Sequence, residues 1–152
     1  MADKTSSTMM IEVSRPVIMA VIADFAVYPQ WASGVRSAEV LDAGPDGRAL
    51  RVRFELDAGV IKDGYVLSYD WDGDTQVRWE LAERGSMISD MTGAYVLEDS
   101  SGGTKVTYQL AVGLAIPMIG MLKRRAEKTI IDTALKGLRS RAEKLAAGGD
   151  SA

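Results

Sequence analysis

The sequence predicts an α+β domain in which one antiparallel sheet is covered on a single face by a long C-terminal helix. Three observations carry that prediction. From Val35 to Ala115 apolar and polar side chains alternate with period two between recurring turn signals, and from Pro117 to about Ala147 the period lengthens to that of a helix. Within that helix the middle of the inward stripe is built from small residues. A chain of 152 residues has the length of one ordinary domain. One unit over residues 1–147 is therefore expected, followed by a short disordered tail, 148–152.

Taken in order, residues 5–13 are rich in β-branched and apolar side chains and predict a first strand. Ser14 and Pro16 then supply a cap and a first-turn proline for a helix running to Phe25, and Tyr28-Pro29-Gln30-Trp31 predicts a second, short helix anchored by Trp31. The turn signals Pro45-Asp46-Gly47, Asp72-Gly73, Arg84-Gly85 and Ser101-Gly102-Gly103 divide the next stretch into five or six strands. One face collects Val52, Phe54 and Leu56, then Tyr65, Leu67, Tyr69 and Trp71, then Val77, Trp79 and Leu81. It continues with Met87, Met91, Tyr95 and Leu97, and with Val106, Tyr108, Leu110 and Val112. The opposite face takes Arg51, Arg53, Glu55, Arg78, Glu80, Glu98, Lys105 and Gln109, the alternation of a sheet with one buried and one wet side.

The last helix has proline at its start and Gly148 just past its end. Stepping by three and four, its inward stripe reads Leu122, Ala126, Thr129 with Ile130, Thr133 with Ala134, Gly137, Arg141 and Leu145. Gly137 costs roughly 1 kcal/mol of helix propensity relative to alanine, so close approach or free space matters at that position. Two readings follow: a void between helix and sheet, or small helix residues that simply accommodate bulky sheet aromatics.

The absences are as informative. The chain has no Cys, His or Asn, which excludes disulfides, thiolate and imidazole chemistry, zinc ribbons and N-glycosylation. A metal site would need carboxylates and carbonyls alone, and the acids are scattered. No metal ligand and no cofactor is assigned. Net charge is -3, and no basic strip interleaved with aromatics argues for nucleic acid. The charge is uneven, however: residues 117–147 carry eight basic and three acidic side chains. A basic amphipathic helix on an acidic body fits either a solvated, internally paired face or peripheral contact with an anionic membrane. No secretory signal or transmembrane span is read, so a cytoplasmic protein is the expectation.

Candidate chemistry is sparse. Asp63, beside Gly64, is the one acid at an inward-parity position, and a bulge there would turn it to water. Arg36 and Arg141 are candidates for the rim of a cavity. The inward aromatics, with Met87, Met91, Met118 and Met121 near the sheet-to-helix junction, form a set suited to an apolar ligand.

The element order resembles the START-like, helix-grip superfamily, and specifically its small polyketide cyclase/dehydrase-like (SRPBCC) branch. The residues that carry the resemblance are Ile22-Ala23-Asp24 through Tyr28-Pro29-Gln30-Trp31, the run from Val35 to Leu41, Gly93-Ala94-Tyr95-Val96-Leu97, and Gly103-Thr104-Lys105-Val106-Thr107-Tyr108. It spans about Lys4 to Leu145. The resemblance implies a curved antiparallel sheet of six or seven strands wrapped around the long helix, with an apolar cavity between them that holds a lipid, a polyketide or another hydrophobic small molecule. Some members cyclise polyketides, and they are described as using an arginine on a central strand. Here that strand reads Tyr69-Asp70-Trp71, with no such arginine. The expectation is thus a binding or carrier protein, with an aromatase/cyclase or dehydratase as the alternative and no catalytic residue assigned. The candidate ligand contacts are Trp31, Phe54, Tyr65, Tyr69, Trp71, Trp79, Met91, Tyr95, Tyr108, Ile130, Thr133 and Gly137. Ligand identity and oligomeric state are left open.

Overall fold

The computed structural model describes residues 5–32, 34–57, 62–115 and 120–148. Strand β1 (Thr5–Ile11) leads into helix α1 (Arg15–Ala23), a 3-10 turn (Phe25–Val27) and the four-residue helix α2 (Tyr28–Trp31). Six strands follow, β2 (Val35–Ala43), β3 (Ala49–Asp57), β4 (Lys62–Asp72), β5 (Gln76–Glu83), β6 (Ile88–Ser100) and β7 (Gly103–Leu114), and then helix α3 (Gly120–Gly148). The seven strands form one antiparallel sheet in the order β1-β7-β6-β5-β4-β3-β2. Consecutive strands from β2 to β7 are hairpin neighbours, and β1 closes the far edge on β7. The predicted class and element order hold, with seven strands.

Hairpin geometry follows from the turn residues. Gly47 and Gly102 sit at φ 85° and 83°, a region that side chains with a Cβ avoid. The sheet's concave face is covered by α1, α2 and α3, and the core lies between them, with Ile18, Met19 and Ile22 of α1 fully buried. At the opposite edge β2 is mostly exposed and carries Arg36, Glu39 and Asp42, charges that keep an edge strand from pairing with another chain.

Three expectations need correction. The alternation does not run through β2: register shifts lie between Val35 and Ser37 and between Val40 and Asp42, so Val40 is 46% exposed. The inward stripe of α3 is Ala126 with Glu127, Ile131, Ala134 with Leu135, Leu138 and Ala142: Ala126 and Ala134 are buried as expected, and the rest of the row lies one residue further along than predicted. Leu122 and Leu145 are exposed as a result. A carboxylate in the middle of the buried row breaks the apolar pattern, and the pattern read without it shifts by one. Glu127 is tolerated inside because both its oxygens accept hydrogen bonds, from Thr5 Oγ1 at 2.7 Å and from the Val112 amide at 2.8 Å. Third, Gly148 is the last residue of α3 and not the first beyond it. The predicted helix start at Pro117 and the rest of the tail lie outside the described residues.

Candidate functional site

Between the sheet and the helices lies an apolar cavity that is partly open. The sheet supplies Phe54 and Leu56 from β3, Tyr65, Leu67 and Tyr69 from β4, Trp79 from β5, Met91 and Tyr95 from β6, and Tyr108 and Leu110 from β7. Tyr28, Ala32, Val35, Ile130 and Ala134 close it from the other side. Period-two alternation places the strand residues on one face, and the small Ala134 keeps α3 from filling the space. The volume open to the centre of a water molecule is about 70 Å³. Pockets that bury drug-sized ligands run to roughly 300–1,000 Å³, so an occupant of that size has to displace rings or move α3.

The rings form a continuous network. Tyr95 and Tyr108 lie 4.5 Å apart between centroids, Trp79 packs 5.5 Å from Tyr95 and 5.7 Å from both Tyr69 and Tyr108, and Phe54 stacks on Tyr65 at 5.8 Å. Trp79 lies flat across β6 because its cross-strand partner is Gly93: a Cβ there would come within 2.4 Å of the indole. Glycine at 93 therefore sets the floor of the cavity.

Among the described residues no charged side chain lines this space. Its polar content is phenolic. Tyr28 spends its hydroxyl on the Ile22 carbonyl, which fixes the bend between α1 and α2. Tyr65, Tyr69, Tyr95 and Tyr108 are each at least nine-tenths buried as residues, but their hydroxyl oxygens are not fully covered, and they make no hydrogen bond to a described residue. Burial pushes all four phenols well above their ordinary value, with neighbouring phenols adding to the rise at Tyr65, Tyr69 and Tyr95. They stay neutral at physiological pH and serve as hydrogen-bond donors and acceptors, not as proton shuttles.

Of the twelve candidate contacts, eight line the cavity: Phe54, Tyr65, Tyr69, Trp79, Met91, Tyr95, Tyr108 and Ile130. The other four lie elsewhere, for identifiable reasons. Gly137 does not border a void; a Cβ there would fall 1.8 Å from the Trp31 carbonyl oxygen, so the glycine lets α2 press its backbone onto α3. Trp31 and Thr133 sit with Gly137 in a cleft on the outer side of that contact. Trp71 is held at the far end of β4, where its indole donates to the Ala49 carbonyl at 2.7 Å and the Arg48 guanidinium stacks over it at 5.1 Å.

Asp63 faces the β5–β6 turn. It accepts the amides of Gly64, Ser86, Met87 and Ile88 at 2.6–3.0 Å and so ties two hairpins together. Burial raises its pKa and those four N–H groups outweigh the rise, leaving it below the ordinary carboxylate value. Arg36 is exposed, 3.9 Å from Asp57. Arg141 belongs to the outer cleft. Met118 lies outside the described residues; of the other three methionines Met91 lines the cavity, Met87 packs at the core's edge and Met121 is 63% exposed. Sequence reasoning missed Tyr28, Ala32 and Val35; the signal for Tyr28 was present in Tyr-Pro-x-Trp, where only the tryptophan was read as an anchor.

Among the described residues no helix is long and apolar enough to cross a membrane. Comparison with known proteins adds the following. The family described as polyketide cyclase / dehydrase and lipid transport matches residues 11–139. A START superfamily protein from Mycobacterium smegmatis is 20% identical with a TM-score of 0.85, over 93% of this chain and 98% of that one. The Zhui aromatase/cyclase from Streptomyces sp. R1128 is 15% identical with a TM-score of 0.80, over 99% and 100%. A protein from Thermus thermophilus is 24% identical with a TM-score of 0.78, over 97% and 100%. At these identities the likenesses establish the fold. No curated protein matches the chain by sequence.

Proposed function

The chain belongs to the polyketide cyclase / dehydrase and lipid transport family, and from that premise we propose that its cavity holds a flat, apolar molecule bearing oxygen acceptors, for binding or carriage and not for turnover. The family and fold support hydrophobic-ligand binding or cyclisation in general. One observation carries the finer reading: four phenolic hydroxyls open into a ring-lined space with no protein partner among the described residues. A plain hydrocarbon would leave those four groups unsatisfied, at a cost of about 1–3 kcal/mol each. A ligand with carbonyl or ether oxygens satisfies them while its carbon skeleton stacks on Trp79 and Phe54. A cytoplasmic location is part of the same proposal.

Size-matched probes test this. Anthraquinone should bind about tenfold or more tightly than anthracene, and the preference should shrink in Tyr69→Phe or Tyr108→Phe. Equal affinity for the two, unchanged in the variants, would reject the oxygenated-ligand reading. Native mass spectrometry of the purified chain, with extraction of any bound molecule, identifies the class directly.

The second reading, an aromatase/cyclase or dehydratase, is favoured by the same hydroxyls, since a neutral phenol can polarise a ligand carbonyl. The described lining supplies it no group that gains or loses a proton near neutral pH, since none of those residues is charged. Turnover of a poly-ketone substrate that is abolished by a Tyr→Phe change would establish it.

A further inference from the structure

A second concavity lies on the outside of the molecule, where α2 rests on the C-terminal half of α3. It is open to water over about 510 Å³, and its walls include Gln30 and Trp31 on one side and Thr133, Lys136, Ser140, Arg141 and Lys144 on the other. The α3 residues recur every three or four positions, so one stripe of the helix forms that wall. Its spacing from α2 is set by backbone contact: the missing side chain at Gly137 lets the Trp31 carbonyl approach to where a Cβ would lie. Two helices in backbone contact leave little room for the cleft to collapse.

The charge in this cleft is of one sign. Lys136, Arg141 and Lys144 make no ion pair with any described residue, and no described carboxylate lines the walls. Elsewhere on α3, Lys128 pairs with Asp132 at 2.8 Å and Lys123 donates to the Val112 carbonyl at 3.1 Å, while Arg124, Arg125 and Arg139 also make no ion pair among the described residues; what sets Lys136, Arg141 and Lys144 apart is that they converge on one concavity. Two donors beside the cleft are also covered without an acceptor, Arg141 Nε and the indole N–H of Trp31, a residue 7% exposed. Among the described residues these are the two covered side-chain polar atoms left without a partner. Their coincidence at one place, beside three unpaired cations, points to an anionic acceptor, which the two side chains would meet by turning outward, because both atoms are closed to water as the structure stands.

We propose that this cleft binds a phosphate ester. Arg141 is its anchor, because a guanidinium fork matches two phosphate oxygens at once. Lys136 and Lys144 flank it as point charges, and Ser140 and Thr133 supply hydroxyl donors. A doubly charged oxyanion meets three cations more evenly than a single carboxylate does. The site is separate from the inner cavity, whose lining shares none of these residues.

The test is an NMR titration of the full-length, nitrogen-15-labelled chain with inorganic phosphate, at ionic strength held constant with chloride. Saturable shifts are expected at the Trp31 indole and at the amides of residues 136–144. Arg141→Gln should weaken binding about tenfold or more, the loss of a charge-assisted pair, with an unchanged circular dichroism spectrum. Arg141→Lys, which keeps the charge and the packing but removes the fork, should fall between. Arg124→Gln, on the same helix outside the cleft, should behave as wild type. Shifts that fail to saturate, or that saturate equally in the Arg141 variants, overturn the site. Sedimentation with phosphatidylcholine vesicles, with and without phosphatidylglycerol, separates the two sources of the phosphate. Arg141-dependent pelleting with anionic vesicles, reversed by inorganic phosphate, assigns a lipid headgroup; phosphate binding without pelleting assigns a soluble ester. Pelleting that ignores Arg141 means a general attraction to the basic helix and overturns the cleft as its seat.

Discussion

The two halves of α3 are fastened to the molecule by different chemistry. The N-terminal half buries Ala126 and Ile131 and adds a set of polar contacts: Glu127 to Thr5 and Val112, Ser7 to Asp132 at 3.3 Å, and Lys128 to Ser7 at 2.9 Å. The C-terminal half is held by packing, with Leu135, Leu138 and Ala142 at most 1% exposed and Gly137 pressed on the Trp31 carbonyl. Ile130 and Ala134, the two α3 residues that line the cavity, sit at the junction. Polar bonds exchange for water at about 0.5–1.5 kcal/mol each, whereas each buried leucine holds about 1.5–3 kcal/mol of burial free energy. Release of the N-terminal half also returns the Glu127 carboxylate to water. The difference teaches where a cavity of only about 70 Å³ can widen: at the polar half, with the packed half as hinge.

The largest effect is expected at the packed half. Gly137→Leu places side-chain atoms where the Trp31 carbonyl lies, and should cost about 3 kcal/mol or more by forcing α2 off α3. A thermal melt within a degree or two of wild type would break the claim that this contact is the hinge. Next is Glu127→Ala, which strands the Val112 amide and the Thr5 hydroxyl and should cost about 1–3 kcal/mol. Its signature is local: amide hydrogen exchange should speed up over residues 121–131 and stay unchanged over 138–146, and apolar probes should associate faster. Uniform acceleration along α3 would contradict a division into halves.

The phenols report whether the cavity widens on its own. All five tyrosines are buried, and burial raises the pKa of each, so folding opposes their ionisation. The stabilisation is complete below the unfolded value of about 10 and is lost as pH rises above it. Tyrosinate absorbance should therefore appear only together with unfolding; a native-state titration near pH 10 would mean the narrow cavity is not the resting state. The smallest effect belongs to Asp63, which acts on neither half. Its lowered pKa means that its contribution is present above the unfolded carboxylate value of about 3.9 and is lost as pH falls through the lower folded value. Asp63→Asn should flatten the acid limb of the stability curve and leave exchange along α3 unchanged.

The sheet was legible because one physical rule, alternation against a covered face, acts on every strand from β3 to β7. The eight candidates that line the cavity are the product of that rule and of Ile130 at the shared edge of the two helix stripes. What escaped is where a second force competes. Bulges in β2 cancel the alternation locally, and a satisfied buried carboxylate at 127 disguises the inward row of α3. Glycine at 137 signals close approach or free space, because it leaves no side chain; which of the two holds is decided by the approach of α2, which period and composition do not encode. Trp71 likewise shares parity with the cavity rings but lies beyond the reach of α3, with Arg48 as its partner.

The central claim is that the space beneath Ala134, between the phenols and α3, is the ligand site. Titration with the neutral apolar fluorophore N-phenyl-1-naphthylamine tests it most directly, comparing wild type with Ala134→Phe, which fills that space from the helix side. The account predicts saturable, one-to-one binding by wild type and at least tenfold weaker binding by a variant whose circular dichroism spectrum is unchanged. Equal binding by the two proteins would place the ligand somewhere other than this cavity.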